Sequence, residues 1–116
     1  MAILRATDIL FKGLQAVGAS ARHCSNDTSL SKRVRRFKAC FGSHPLVIAR
    51  NWHDLREIDT ERNLSRYFMS LFWLKIYPTE ALLACKFNLH EETVRLWCWF
   101  YAECLQVLSQ SKVRIW

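Results

Sequence analysis

Residues 82–97 read LLACKFNLHEETVRLW, and they limit the fold more tightly than any other stretch of this chain. The spacing predicts two helices joined by a tight turn. A helix-turn-helix needs a small residue where its helices cross, a residue tolerant of left-handed backbone at the turn, an apolar plug and a cap. Ala84 suits the crossing, and Asn88 suits the turn, because Asn tolerates left-handed backbone best after Gly. Leu89 is the plug and His90 takes the cap position, where Ser or Asp would be stronger. Glu91 and Glu92 favour a helix start through the helix dipole. Leu83, Phe87, Val94 and Trp97 supply the inward side chains. The unit is expected to span residues 79–109. A generic helical hairpin with no DNA role is the competing reading of the same residues.

The rest of the chain agrees with helices. Three Gly and two Pro punctuate 116 residues, too few for many short strands. With 51% hydrophobic residues the chain has enough apolar material for one real core. We therefore expect an all-α fold, a compact bundle of five to six helices containing the helix-turn-helix.

Segment by segment, residues 1–22 predict an N-terminal amphipathic helix with Ile3, Leu10, Leu14, Val17 and Ala21 on one face, weakened by Gly13 and Gly18. Residues 23–30, HCSNDTSL, predict a polar linker to a helical domain over 31–116. In LSKRVRRFKACFG the apolar residues Leu30, Val34, Phe37 and Phe41 form a stripe, with Ser31 as the expected cap and Gly42 as the stop. Pro45 suits the first turn of the next helix, where Ile48, Trp52 and Leu55 share a face. ERNLSRYFMSLFWLKIY stops at Pro78. Leu64, Tyr67, Phe68, Leu71, Leu74 and Ile76 leave little polar surface in its second half, as in the central helix of a bundle. Thr79 caps TEALLACKF. The last helix carries two apolar stripes. One holds Val94, Trp97, Tyr101, Leu105 and Leu108; the other holds Leu96, Phe100 and Val107, with Trp99 beside them. A helix at the edge of a small domain has no need of both, so either this helix is sandwiched or it packs on another chain or a C-terminal domain.

The chemistry-bearing residues point away from catalysis. Five cysteines, with no CxxC pair and no ligand spacing to the four histidines, give no zinc signature. No metal or other cofactor is expected. Cys85, Cys98 and Cys104 fall in apolar helical stretches and read as small core residues in a reducing compartment. No nucleophile with a positioned base is visible. The longest apolar run, YFMSLFWL, is far below the roughly 20 residues that cross a bilayer, so no membrane role is expected.

The formal net charge of +7 fits a polyanion partner. KRVRRFK places five cations in seven residues: Lys32, Arg33, Arg35, Arg36 and Lys38. On a helix they suit contacts with backbone phosphates, which hold DNA without reading its sequence. A solvated basic face or a nuclear-import signal is the plainer reading of that run. Arg62, Arg66 and Lys86 are candidates to extend the surface. The groove-facing residues are expected to be His90, Glu91, Glu92, Arg95 and Trp99. Two carboxylates there repel phosphates, so the grip must come from elsewhere. Leu96, Trp99 and Phe100 are the alternative interface, for a homodimer or a separate catalytic domain. A nuclear location is expected; the amphipathic, Arg-bearing start also resembles a mitochondrial transit peptide, which is the alternative.

RRFKACFGSHPLVIARNW, followed by LFWLKIYPTEALLACKFNLHEETVRLWCWFYAECL, resembles the N-terminal region of Harbinger/IS5-type transposases, especially algal and diatom copies. The resemblance covers residues 33–116 and rests on motif order: the RRF run, FG before a proline and a Trp-bearing helix, LKIYPTE, then the helix-turn-helix with its Trp-rich second helix. It implies a helical region that helps bind transposon ends as double-stranded DNA. The family's ribonuclease H-like catalytic domain, with three carboxylates and divalent metal ions, would follow where this chain stops at VRIW. Asp54, Asp59 and Glu103 match no catalytic motif. The expectation is thus a DNA-binding part of a truncated or decayed element, not an enzyme.

Overall fold

In the computed structural model the described residues are 5–18, 29–59 and 62–111, and they contain helices and no strand. The helices are α1 (Ala6–Ala16), α2 (Leu30–Phe41), α3 (Pro45–Asp54), α4 (Leu64–Ile76), α5 (Glu80–Phe87) and α6 (Glu91–Ser111), with a 3-10 turn over Leu55–Glu57. The all-α expectation holds, with six helices among the described residues.

Local chemistry sets most of the boundaries. Ser29, not Ser31, caps α2: its Oγ accepts the Lys32 N–H at 3.4 Å, because the chain turns helical at Leu30, two residues earlier than a Ser31 cap implies. Gly42, at φ 84°, ends the helix in the left-handed conformation that glycine adopts without a Cβ clash. Pro45 opens α3 as expected. Asn63 Oδ1 caps α4 by accepting from Arg66 N–H at 3.1 Å, and Thr79 Oγ1 caps α5 by accepting from Leu82 N–H at 3.2 Å. Helix α4 ends at Tyr77, a left-handed residue at φ 57° just before Pro78.

Helix α1 covers Ala6–Ala16, and Gly18 at φ 79° turns the chain after it; of the expected 1–22, residues 1–4 and 19–22 lie outside the described residues. Ile3, Ala21 and most of the expected linker lie outside the described residues. This helix belongs to the main core: Ile9, Leu10 and Leu14 pack with Phe37 and Phe41 of α2, Ile48 and Trp52 of α3, Tyr67 and Phe68 of α4, and Tyr101 and Leu105 of α6. Gly13 is required there. A Cβ on it would lie 2.4 Å from Cε2 of Phe37, so the residue that weakens α1 as a helix lets it seat on α2.

Helix α4 is central, but its buried stretch is Tyr67–Leu71 in the first half. Leu74 and Ile76, expected inside, are exposed. In that stretch Phe68 meets Phe37 and Phe41 of α2, and Tyr67 meets Tyr101 of α6. Ser70, fully buried, donates its hydroxyl towards the Arg66 carbonyl at 2.8 Å and lies 3.3 Å from the Trp97 carbonyl, which ties α4 to α6. Tyr67 donates to the Ile48 carbonyl at 3.0 Å, and the Tyr101 hydroxyl accepts the Asn63 N–H at 2.9 Å. Buried hydroxyls thus find partners. The buried Asn51 amide finds none among the described residues, and its polar side chain in the core was not foreseen.

Candidate nucleic-acid interface

Helices α5 and α6 form the expected two-helix unit. Asn88 stands between them at φ 56°, ψ 52°, the left-handed conformation assigned to it from sequence. Leu89 follows, its N–H donating to the Ala84 carbonyl at 2.9 Å. Leu83, Val94 and Cys98 are buried with Met69 of α4, and Ala84, Phe87, Leu89 and Trp97 pack around them. Three helices, α4 to α6, therefore enclose a second, smaller core. Burying a side chain such as Leu83 contributes about 1.5–3 kcal/mol. Burial also pushes the Cys98 thiol up to about 11, so it stays protonated near neutral pH. Cys98 and Cys104 are core residues as expected; Cys85 is exposed, because it lies on the outer side of α5.

The groove candidates lie together at the start of α6. His90, Glu91, Glu92, Arg95 and Trp99 are all exposed. Arg95 is held. Its Nε lies 3.1 Å from both carboxylate oxygens of Glu80, and its Nη2 lies 2.7 Å from Oε2. The hydrogen bond from Arg95 is the main cause that lowers the Glu80 carboxyl below its ordinary value, and the same bond raises Arg95. Sequence reasoning missed Glu80, which sits at the start of α5 and shares no helical period with Arg95. Trp99 is also anchored, edge-on to Trp73 of α4 at 5.2 Å between ring centroids.

The basic run forms the outer face of α2. Lys32, Arg35, Arg36 and Lys38 are exposed and Arg33 is half-buried, while Phe37 and Phe41 turn inward. Leu30, expected in the apolar stripe, is exposed at the first turn. The three cations considered as extensions differ. Arg62 stacks on Trp52 at 4.3 Å and Arg66 on Trp97 at 3.9 Å, so aromatic faces hold both. Burial, ahead of nearby Arg56, lowers Arg62. Lys86 is exposed near the end of α5, 5.7 Å from the Phe72 ring centroid. Its charge also reaches Cys40 of α2, where it opposes the rise that burial causes in that thiol.

The outward stripe of α6 is open to solvent. Leu96 is 63% and Trp99 57% exposed, with Val107 exposed further along. Phe100 is half-covered, edge-on to Trp97 at 5.4 Å. Leu96, Trp97 and Phe100 border a shallow pocket with Asp59 and Arg66.

Among the described residues no three His, Cys, Asp or Glu side chains gather to hold a metal ion. None of the described helices is long and apolar enough to cross a membrane. The chain matches no protein-family model, no curated protein and no solved structure.

Proposed function

We propose that the chain is a DNA-binding helix-turn-helix domain that grips duplex phosphates through α2. The observation that carries this reading is the pairing of two features in one fold. One is a two-helix unit with Asn88 left-handed at its turn and its own small core. The other is α2, which packs on α4 and carries four exposed cations on its outer face. The unit sets the start of α6 towards the groove, and α2 supplies charge without sequence preference. The resemblance of residues 33–116 to the N-terminal region of Harbinger/IS5-type transposases supports the same reading and adds transposon ends as the DNA. A nuclear location goes with it.

The test is binding of the purified chain to mixed-sequence duplex, followed by fluorescence anisotropy at two salt concentrations. Micromolar or tighter binding that weakens steeply with salt is expected. Absence of binding at low salt, from a folded sample, would overturn the proposal.

A second reading draws on the open stripe of α6. Leu96, Trp99 and Phe100 would then meet a second copy or a separate catalytic domain, and the chain would be a helical interaction module. That reading expects concentration-dependent association indifferent to salt. A strict monomer in light scattering would count against self-association.

A further inference from the structure

We infer that Arg95 reads guanine in the major groove and that Glu80 positions it to do so. The inference rests on the duplex-binding reading and adds the base that is read. Residues on the first turns of the second helix of such a unit reach base edges, and Arg95 lies there. Its guanidinium presents five N–H donors in a planar fork. Glu80 engages one edge, formed by Nε and one N–H of Nη2. Nη1 and the second N–H of Nη2 take no part in these bonds, and together they form the outer edge of the fork. Arg95 is 56% exposed while so held.

That outer edge matches guanine, which offers O6 and N7 as adjacent acceptors. Adenine places an amino donor where guanine has O6, so it would set donor against donor. A phosphate is the poorer target at this place. Glu91 and Glu92 are exposed on the same turn and close enough to act on Arg95, and their charge repels the DNA backbone. A neutral base edge meets no such penalty. Glu80 contributes by fixing the side chain before DNA arrives. A free arginine loses its rotamer freedom on binding, whereas one anchored by a carboxylate has already lost much of it. The ion pair itself is surface-exposed and adds little to stability, so its value lies in orientation.

The experiment is selection of bound sequences from a randomised duplex pool, read by sequencing, for the wild-type chain and for Arg95→Ala, Arg95→Lys and Glu80→Gln. Circular dichroism checks that each is folded. The wild type is expected to enrich guanine at one position by about tenfold or more over other bases. Arg95→Ala should lose that preference and Arg95→Lys should weaken it, and both should keep binding that weakens with salt. Glu80→Gln should keep guanine but reduce its enrichment to a few-fold. Unchanged guanine enrichment with Arg95→Ala would overturn the inference. So would a Glu80→Gln protein that loses thermal stability yet keeps the full preference, since the pair would then be only a brace between α5 and α6. Wild-type binding without any base preference sinks this inference alone; no duplex binding at low salt sinks the proposed function with it.

Discussion

Two surfaces of this chain carry charge in different ways. On α2 the cations are of one sign and all but Arg33 are exposed, and the helix is fastened to the core by Phe37 and Phe41 beneath them. At the start of α6 the charges are mixed, and Arg95 is fixed by Glu80 across the helix-turn-helix. The first arrangement attracts any polyanion and has no way to prefer a sequence. The second has little net attraction but holds one donor fork in a set direction. On the proposed DNA-binding reading the contrast separates grip from reading, and each half is open to its own perturbation.

The largest effect should come from undoing the small core that sets the start of α6. Leu83 is fully buried between α4, α5 and α6, so Leu83→Ala is expected to cost about 2–5 kcal/mol in chemical denaturation. A cost under about 1 kcal/mol would mean that the unit is loosely packed and that Arg95 has no fixed platform. The seat of the basic helix is tested by Gly13→Ala. The new Cβ would collide with Phe37, and the expected loss is about 1–3 kcal/mol. A gain in stability, as helix propensity alone would give, would show that α1 does not press on α2.

The turn itself is a finer probe. Asn88→Val should cost about 1–2 kcal/mol, since a β-branched residue is strained at φ 56°, while Asn88→Gly should be close to neutral. Equal stability of all three proteins would contradict the left-handed turn. The smallest effect concerns pH. Arg95 lowers the Glu80 carboxyl, so the pairing is in place above the ordinary carboxylate range and is lost as pH falls through the lowered value. An NMR titration should place Glu80 below the ordinary glutamate value in the wild type and return it towards that value in Arg95→Ala. An unmoved midpoint would remove the evidence that Glu80 holds Arg95 in solution.

The legible part of this structure was what short-range chemistry writes into neighbouring residues. Asn88 at the turn, Thr79 and Gly42 at helix ends, and Leu83 with Val94 facing inward followed from spacing and from what each residue tolerates. Long-range contacts were not legible. Glu80 and Arg95 lie on different helices, so no period links them, and the same holds for Trp73 against Trp99. Gly13 looked like a flaw in α1 because its reason, the Phe37 ring, comes from another helix. Leu74 and Ile76 fit a buried pattern that the packing does not use, since apolar spacing says which face can be buried but not how far a neighbour extends along it. Cys85 was misplaced for the same reason. The candidate interface was readable as a set of residue types; which of them are fastened, and by what, became visible only in three dimensions.

The central claim is that α2 supplies the grip. It is tested most directly by the slope of log affinity against log salt for duplex binding, measured for the wild type and for a variant with Lys32, Arg33, Arg35, Arg36 and Lys38 changed to Gln. Each phosphate contact adds about 0.9 to the slope. With Arg33 half-buried, the account predicts a slope shallower by about 3–4 in the variant, together with much weaker binding at low salt. An unchanged slope in a folded variant would contradict it and would move the phosphate contacts off α2.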